Sequence, residues 1–77
     1  MEMNREMIAE SLRSLRGERT QKEVADAVGI TPMAISQYEQ GERIPNDAIK
    51  IRLAAYFGKS VEDIFFAAKV IKMNTEA

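Results

Sequence analysis

The segment Thr20 to Gln40, TQKEVADAVGITPMAISQYEQ, admits few folds, because helix start and stop signals occur twice within it. Thr20 is a competent N-cap, and Glu23 can bond back to the Thr20 backbone N–H to make a capping box. Val24, Ala25 and Val28 then recur at helical spacing on one face. Gly29 stands where a helix most readily ends in a left-handed residue, a conformation that Gly adopts without a Cβ penalty. Thr31 can cap a second helix, and Pro32 suits its first position because the N–H it lacks has no intrahelical partner there. Ile35 and Tyr38 supply the buried side of that helix, with Ile30 plugging the turn. Pro32, Met33, Ser36, Gln37 and Gln40 then point away from the core. Two short helices joined by a turn at Gly29 make a helix-turn-helix.

The flanks extend the helical pattern. Residues 1–16 read as a first helix with an apolar stripe of Met7 or Ile8, Leu12 and Leu15, and with Ala9 at a close-packed position. Gly17-Glu18-Arg19 is a short connection. After the motif, Gly41 stops the helix and Pro45 biases Ile44 to an extended conformation. Asn46 can cap a fourth helix, with Asp47 favourable in its first turn. Ile49, Leu53, Tyr56 and Phe57 are its expected buried face, and Gly58 closes it. Ser60 with Asp63 opens a fifth helix in which Val61, Ile64, Phe65 and Ala68 pack inward. The expected fold is all-α: a compact bundle of five short helices without strands.

In order along the chain, Gln21, Ala25, Gly29, Ile35-Ser36-Gln37-Tyr38-Glu39, Gly41-Glu42-Arg43-Ile44-Pro45, Leu53-Ala54 and Val61-Glu62-Asp63-Ile64-Phe65 resemble the phage-repressor (Cro-like) helix-turn-helix transcriptional regulators. The resemblance covers about residues 8 to 66. It implies a lambda-repressor-like DNA-binding domain and a homodimer on a palindromic operator, acting as a repressor or occasionally an activator.

Composition bounds the function. With 77 residues, 45% of them hydrophobic, there is material for one small core. The sequence holds neither Cys nor His, which removes thiolate and imidazole metal ligands and excludes Cys–His and Ser–His catalysis. No metal, cofactor or enzymatic activity is implied. No apolar run approaches the roughly 20 residues of a membrane span, and the N-terminus lacks a signal-peptide layout. A soluble, cytoplasmic protein with no membrane partner is therefore expected. The start at Met1 and the polar end read as a complete protein.

The net charge of −1 runs against the basic balance usual in nucleic-acid binders. Its distribution does not. Arg13, Arg16, Arg19 and Lys22 cluster around the entry to the first motif helix, and Arg43 lies just after the second. The acids gather at Glu2, Glu6 and Glu10, and again at Glu62, Asp63 and Glu76. Either Arg13 or Arg16 can pair with Glu39, an acid that would otherwise stand close to phosphates.

The expected ligand is double-stranded DNA, with a recognition helix over about residues 31–40 in the major groove, which admits an α-helix. Pro32, Met33, Ser36 and Gln37 are the expected base-reading residues. The Gln37 amide can bond bidentately to adenine, and Met33 can press on a thymine methyl. Nothing basic lies on the exposed face of this helix, so a readout leaning toward A·T pairs is expected. Gln21, Lys22, Thr31, Arg43, Arg16, Arg19 and Gln40 are the expected phosphate contacts, which supply salt-sensitive affinity. Residues 1–68 are expected to form the DNA-binding domain and 69–77 a tail. For that end two readings stand: Phe66 completes the core and the rest frays, or Phe66, Val70 and Ile71 form a two-fold interface. An alternative function is a protein-interaction regulator, with a toxin, antirepressor or protease as partner and the helix-turn-helix kept for autoregulation. A third is the DNA-binding part of a longer regulator.

Overall fold

The computed structural model describes residues 5–65. They form five helices: α1 (Arg5–Arg16), α2 (Gln21–Val28), α3 (Pro32–Glu39), α4 (Asp47–Phe57) and α5 (Val61–Phe65). No strand occurs among the described residues. Residues 1–4 of the expected first helix, Ala68, and the expected interface residues Phe66, Val70 and Ile71 lie outside them.

Local chemistry sets the motif's boundaries. The Glu23 backbone N–H donates to Thr20 Oγ1 at 3.0 Å, and the Thr20 N–H donates to Glu23 Oε1 at 3.2 Å. This reciprocal box satisfies two donors that the first turn of a helix cannot pair internally. Gly29 ends α2 at φ 87°, and the N–H groups of Gly29 and Ile30 both donate to the Ala25 carbonyl. The chain then turns tightly into Thr31, whose hydroxyl accepts the Ala34 N–H at 3.1 Å, with Pro32 in the first turn of α3. Asn46 caps α4 through the Ile49 N–H at 2.9 Å, and Ser60 with Asp63 forms a second reciprocal box ahead of α5.

The core gathers Ile8 and Leu12 of α1, Val24, Ala25 and Val28 of α2, Ile35 and Tyr38 of α3, Leu53 and Ala54 of α4, and Ile64 and Phe65 of α5. Ala25 is wholly buried, which permits the close crossing of α2 and α3. Of the two candidates in the α1 stripe, Ile8 is the buried one, while Met7 is exposed. Leu15 and Ile30 close the edges of the core.

The buried face of α4 differs from the expected one. Lys50, Leu53 and Ala54 are its buried residues, and Ile49, Tyr56 and Phe57 only flank the core. The contact stripe runs through Lys50, Leu53, Ala54 and Phe57, an i, i+3, i+4, i+7 set. Lys50 belongs to that stripe because its aliphatic stem can cover apolar surface while the ammonium seeks polar company. Its Nζ lies 3.5 Å from Asp47 Oδ1 and 5.9 Å from the Phe65 ring centroid.

Candidate nucleic-acid interface

The first two residues of α3 stand clear of the core. Thr31, Pro32 and Met33 are exposed, Met33 at 70%, whereas Ile35 and Tyr38 on the opposite side are buried. Ser36 and Gln37 are half-buried one turn further on. The four expected base-reading residues thus share the outer side of one helix, whose first turn is held by the Thr31 cap. Gln40 donates from Nε2 to Ser36 Oγ at 2.9 Å, which orders the end of this row. The Ser36 hydroxyl hydrogen remains available to a ligand.

A second group of residues fixes α1, α2 and α3 to one another, and Glu39 is its centre. The Glu39 side chain is 5% exposed, and both carboxylate oxygens accept hydrogen bonds from outside α3. Arg16 Nε donates to Oε2 at 2.7 Å, and Arg16 Nη2 donates to Oε1 at 3.0 Å. Gln21 Nε2 donates to the same Oε1 at 3.1 Å. Arg13 completes the group by donating to the Glu39 backbone carbonyl. Sequence reasoning offered Arg13 or Arg16 as the partner of this acid; both bind it, one at the carboxylate and one at the main chain. The hydrogen bond to Glu39 raises the Arg16 pKa above its ordinary value, and burial opposes this less strongly. The guanidinium therefore stays charged, and a buried acid is neutralised beside the surface where phosphates are expected.

The remaining expected phosphate contacts separate into two sets. Gln21 stands at the start of α2 with one amide N–H on Glu39, so the bond aims the rest of the amide. Lys22 is well exposed and pairs with Asp26 Oδ2 at 2.8 Å, which raises its pKa through the hydrogen bond and the adjacent charge. Thr31 lies in the turn. By contrast, Arg16 is committed to Glu39 and to the Arg19 carbonyl at 2.7 Å. Arg19 donates to the Leu15 carbonyl and places its guanidinium 5.3 Å from the Tyr56 ring centroid and 5.7 Å from that of Phe57. Its partners belong to α1 and α4, and none is on α3. These contacts escape sequence reading because they depend on the path of the α1–α2 loop over α4.

Among the described residues, Arg43 is the cation that bonds to a side chain of the reading side. Gly41, at φ 75°, turns the chain back after α3, and the N–H groups of Glu42 and Arg43 donate to the Gln37 carbonyl at 2.9 and 3.4 Å. Arg43 Nη1 then donates to Gln37 Oε1 at 3.0 Å, with its guanidinium 5.8 Å from the Tyr38 ring centroid. Nothing basic lies on the outer face of α3 itself, as expected from the sequence. The loop nevertheless delivers a guanidinium to that face, beside the Gln37 amide.

No group of acidic residues among those described is arranged to hold a metal ion, and none of their helices is long and apolar enough to cross a membrane. Comparison with known proteins agrees with this geometry. A family model described as Helix-turn-helix matches residues 12–64. Among solved structures, the chain is similar to the SOS-response transcriptional repressor LexA from Eubacterium rectale, at 28% identity and a TM-score of 0.72, over 83% of this chain and 72% of that one. No curated protein matches.

Proposed function

Because the chain belongs to the phage-repressor (Cro-like) family of helix-turn-helix transcriptional regulators and is a DNA-binding regulator of transcription, we propose that it represses its target genes by binding a palindromic operator as a homodimer. In this reading α3 enters the major groove with Pro32, Met33, Ser36 and Gln37 toward base edges. Gln21, Lys22, Thr31, Gln40 and Arg43 meet phosphates around it, with Arg16 and Arg19 supplying charge from behind. The observation that carries it is the outer row of α3: it is polar or thinly apolar, exposed at Pro32 and Met33 and half-buried at Ser36 and Gln37, and has beside it the N-terminal ends of α3 and of α2, the latter tied to Glu39 through Gln21. Such ends present unpaired backbone N–H groups to an anion.

With few cations per subunit, one copy is expected to bind weakly, and two copies double the phosphate contacts. Phe66, Val70 and Ile71 are the proposed apolar contact between copies. Selection of bound DNA from a random pool tests the reading. The expected product is a two-fold symmetric sequence whose half-sites lie about one helical turn, roughly 34–36 Å, apart. Val70→Asp is expected to sediment as a monomer and to lose most operator affinity. A pool that yields no enriched sequence at low salt overturns the DNA-reading assignment, and a single asymmetric site bound by one copy overturns the dimer.

A further inference from the structure

We propose that Arg43 and Gln37 act as one reading unit, in which the guanidinium fixes the side-chain amide so that the pair selects guanine over adenine. The inference rests on the proposed docking of α3 and deepens it at one base pair.

Three contacts join the two residues or their immediate neighbours. The backbone N–H groups of Glu42 and Arg43 reach the Gln37 carbonyl, and Arg43 Nη1 reaches Gln37 Oε1 at 3.0 Å. The loop is thus tied to residue 37 through its main chain before the side chains meet. The guanidinium is further held near the Tyr38 ring, an arrangement that suits its flat, delocalised charge. A guanidinium has no acceptor, so the atom of the amide that faces it has to be the oxygen. That settles the amide's orientation on chemical grounds: Oε1 toward Arg43, Nε2 away from it.

Orientation determines what the residue can read. A free glutamine reads adenine by donating to N7 and accepting from the N6 amino group. Here one lone pair of the accepting oxygen holds a guanidinium, so an adenine amino group brought to the other would approach a positive charge. Guanine presents two acceptors in the major groove, N7 and O6. Against them the unit offers the Gln37 amide hydrogens and the remaining N–H groups of Arg43, which are donors without exception. Arg43, placed above among the phosphate contacts, thereby turns N–H groups to the base edge instead and supplies the guanine contact that the helix itself lacks.

The test is selection of bound DNA by the parent, Gln37→Ala and Arg43→Met proteins, followed by affinity measurements on single-base variants of the selected site. Arg43 is exposed and outside the helices, so folding survives its replacement; thermal unfolding checks this. The base pair whose preference Gln37→Ala abolishes is the one Gln37 reads. The parent is expected to favour guanine over adenine there by about tenfold, and Arg43→Met to reduce the ratio below about twofold or reverse it, with other positions keeping their preferences. If Arg43→Met weakens all sequences alike and leaves that ratio unchanged, Arg43 is a phosphate contact only and the proposal falls while the docking of α3 stands. A parent preference for adenine at that pair also overturns it. If Gln37→Ala alters no base preference, the docking assignment fails and the proposal falls with it.

Discussion

The Arg16 guanidinium meets the Glu39 carboxylate through two hydrogen bonds, Nε to Oε2 and Nη2 to Oε1, across 23 residues of sequence. Gln21 shares the second oxygen, so one acid joins the end of α1, the start of α2 and the last turn of α3. Breaking a buried pair from one side costs more than the pair itself contributes, because the survivor keeps its charge without a partner. Arg16 is partly solvated at 23% side-chain exposure, which softens that penalty. Glu39→Ala is therefore expected to lower stability by about 2–3 kcal/mol, which lowers the melting temperature by on the order of 10 °C or more in so small a domain. Urea and thermal unfolding measure both. A loss below about 0.5 kcal/mol would mean that the pair behaves like an ordinary surface ion pair.

The turn between α2 and α3 is a separate source of stability. At Gly29 the backbone is left-handed, with φ 87°, and an added Cβ would meet only Arg52 Nη1 at 3.7 Å, an ordinary contact. Space is available, so the cost of Gly29→Ala is conformational. It is expected to be about 1–2 kcal/mol in denaturant unfolding. A much larger loss would show that the side chain displaces a neighbour.

These two cases also show what could be read from the sequence. Thr20, Glu23, Gly29, Thr31 and Pro32 act on atoms within five residues of themselves, so their roles follow from spacing alone, and the helix boundaries of the motif came out as expected. Glu39 needed a partner from another helix; charge alone narrowed the choice to Arg13 and Arg16 without deciding between a side-chain and a main-chain contact. Lys50, Arg19 and Arg43 were not legible in this way. The burial of Lys50 depends on how far α4 is rotated, although counting back three residues from Leu53 would have placed it on the contact stripe. Arg19 reaches Tyr56 and Phe57, which lie edge to face with centroids 5.1 Å apart, through a loop whose path no local signal specifies. The contact of Arg43 with Gln37 arises from the reversal at Gly41, a residue that sequence reading treated only as a helix stop.

The exposed Lys22–Asp26 pair makes an electrostatic prediction. Asp26 competes with any phosphate for the Lys22 ammonium and adds a negative charge of its own. Asp26→Asn is expected to tighten DNA binding several-fold for all sequences alike. Lys22→Ala is expected to weaken binding uniformly and to flatten the slope of log affinity against log salt by roughly 0.9 per subunit. Titrations at two or more salt concentrations check both. A change in base preference with either variant would place Lys22 at a base edge and not at a phosphate.

Met33 separates a reading role from a folding role most cleanly, because the domain has little use for its side chain. It is 70% exposed at the first turn of α3 and lies outside the core cluster. Met33→Ala is accordingly expected to change unfolding free energy by no more than about 0.5 kcal/mol. On DNA, a flexible thioether chain against a thymine methyl contributes apolar contact that alanine is too short to make. The variant is therefore expected to lose preference at one thymine-bearing pair in each half-site, next to the pair read by Gln37, while the salt slope stays unchanged because no charge has been removed. Base-by-base affinity measurements on the selected operator decide the matter. Unchanged preference at every position would mean that the first turn of α3 does not reach the floor of the groove, and the docking would then have to be rotated toward Ser36 and Gln37.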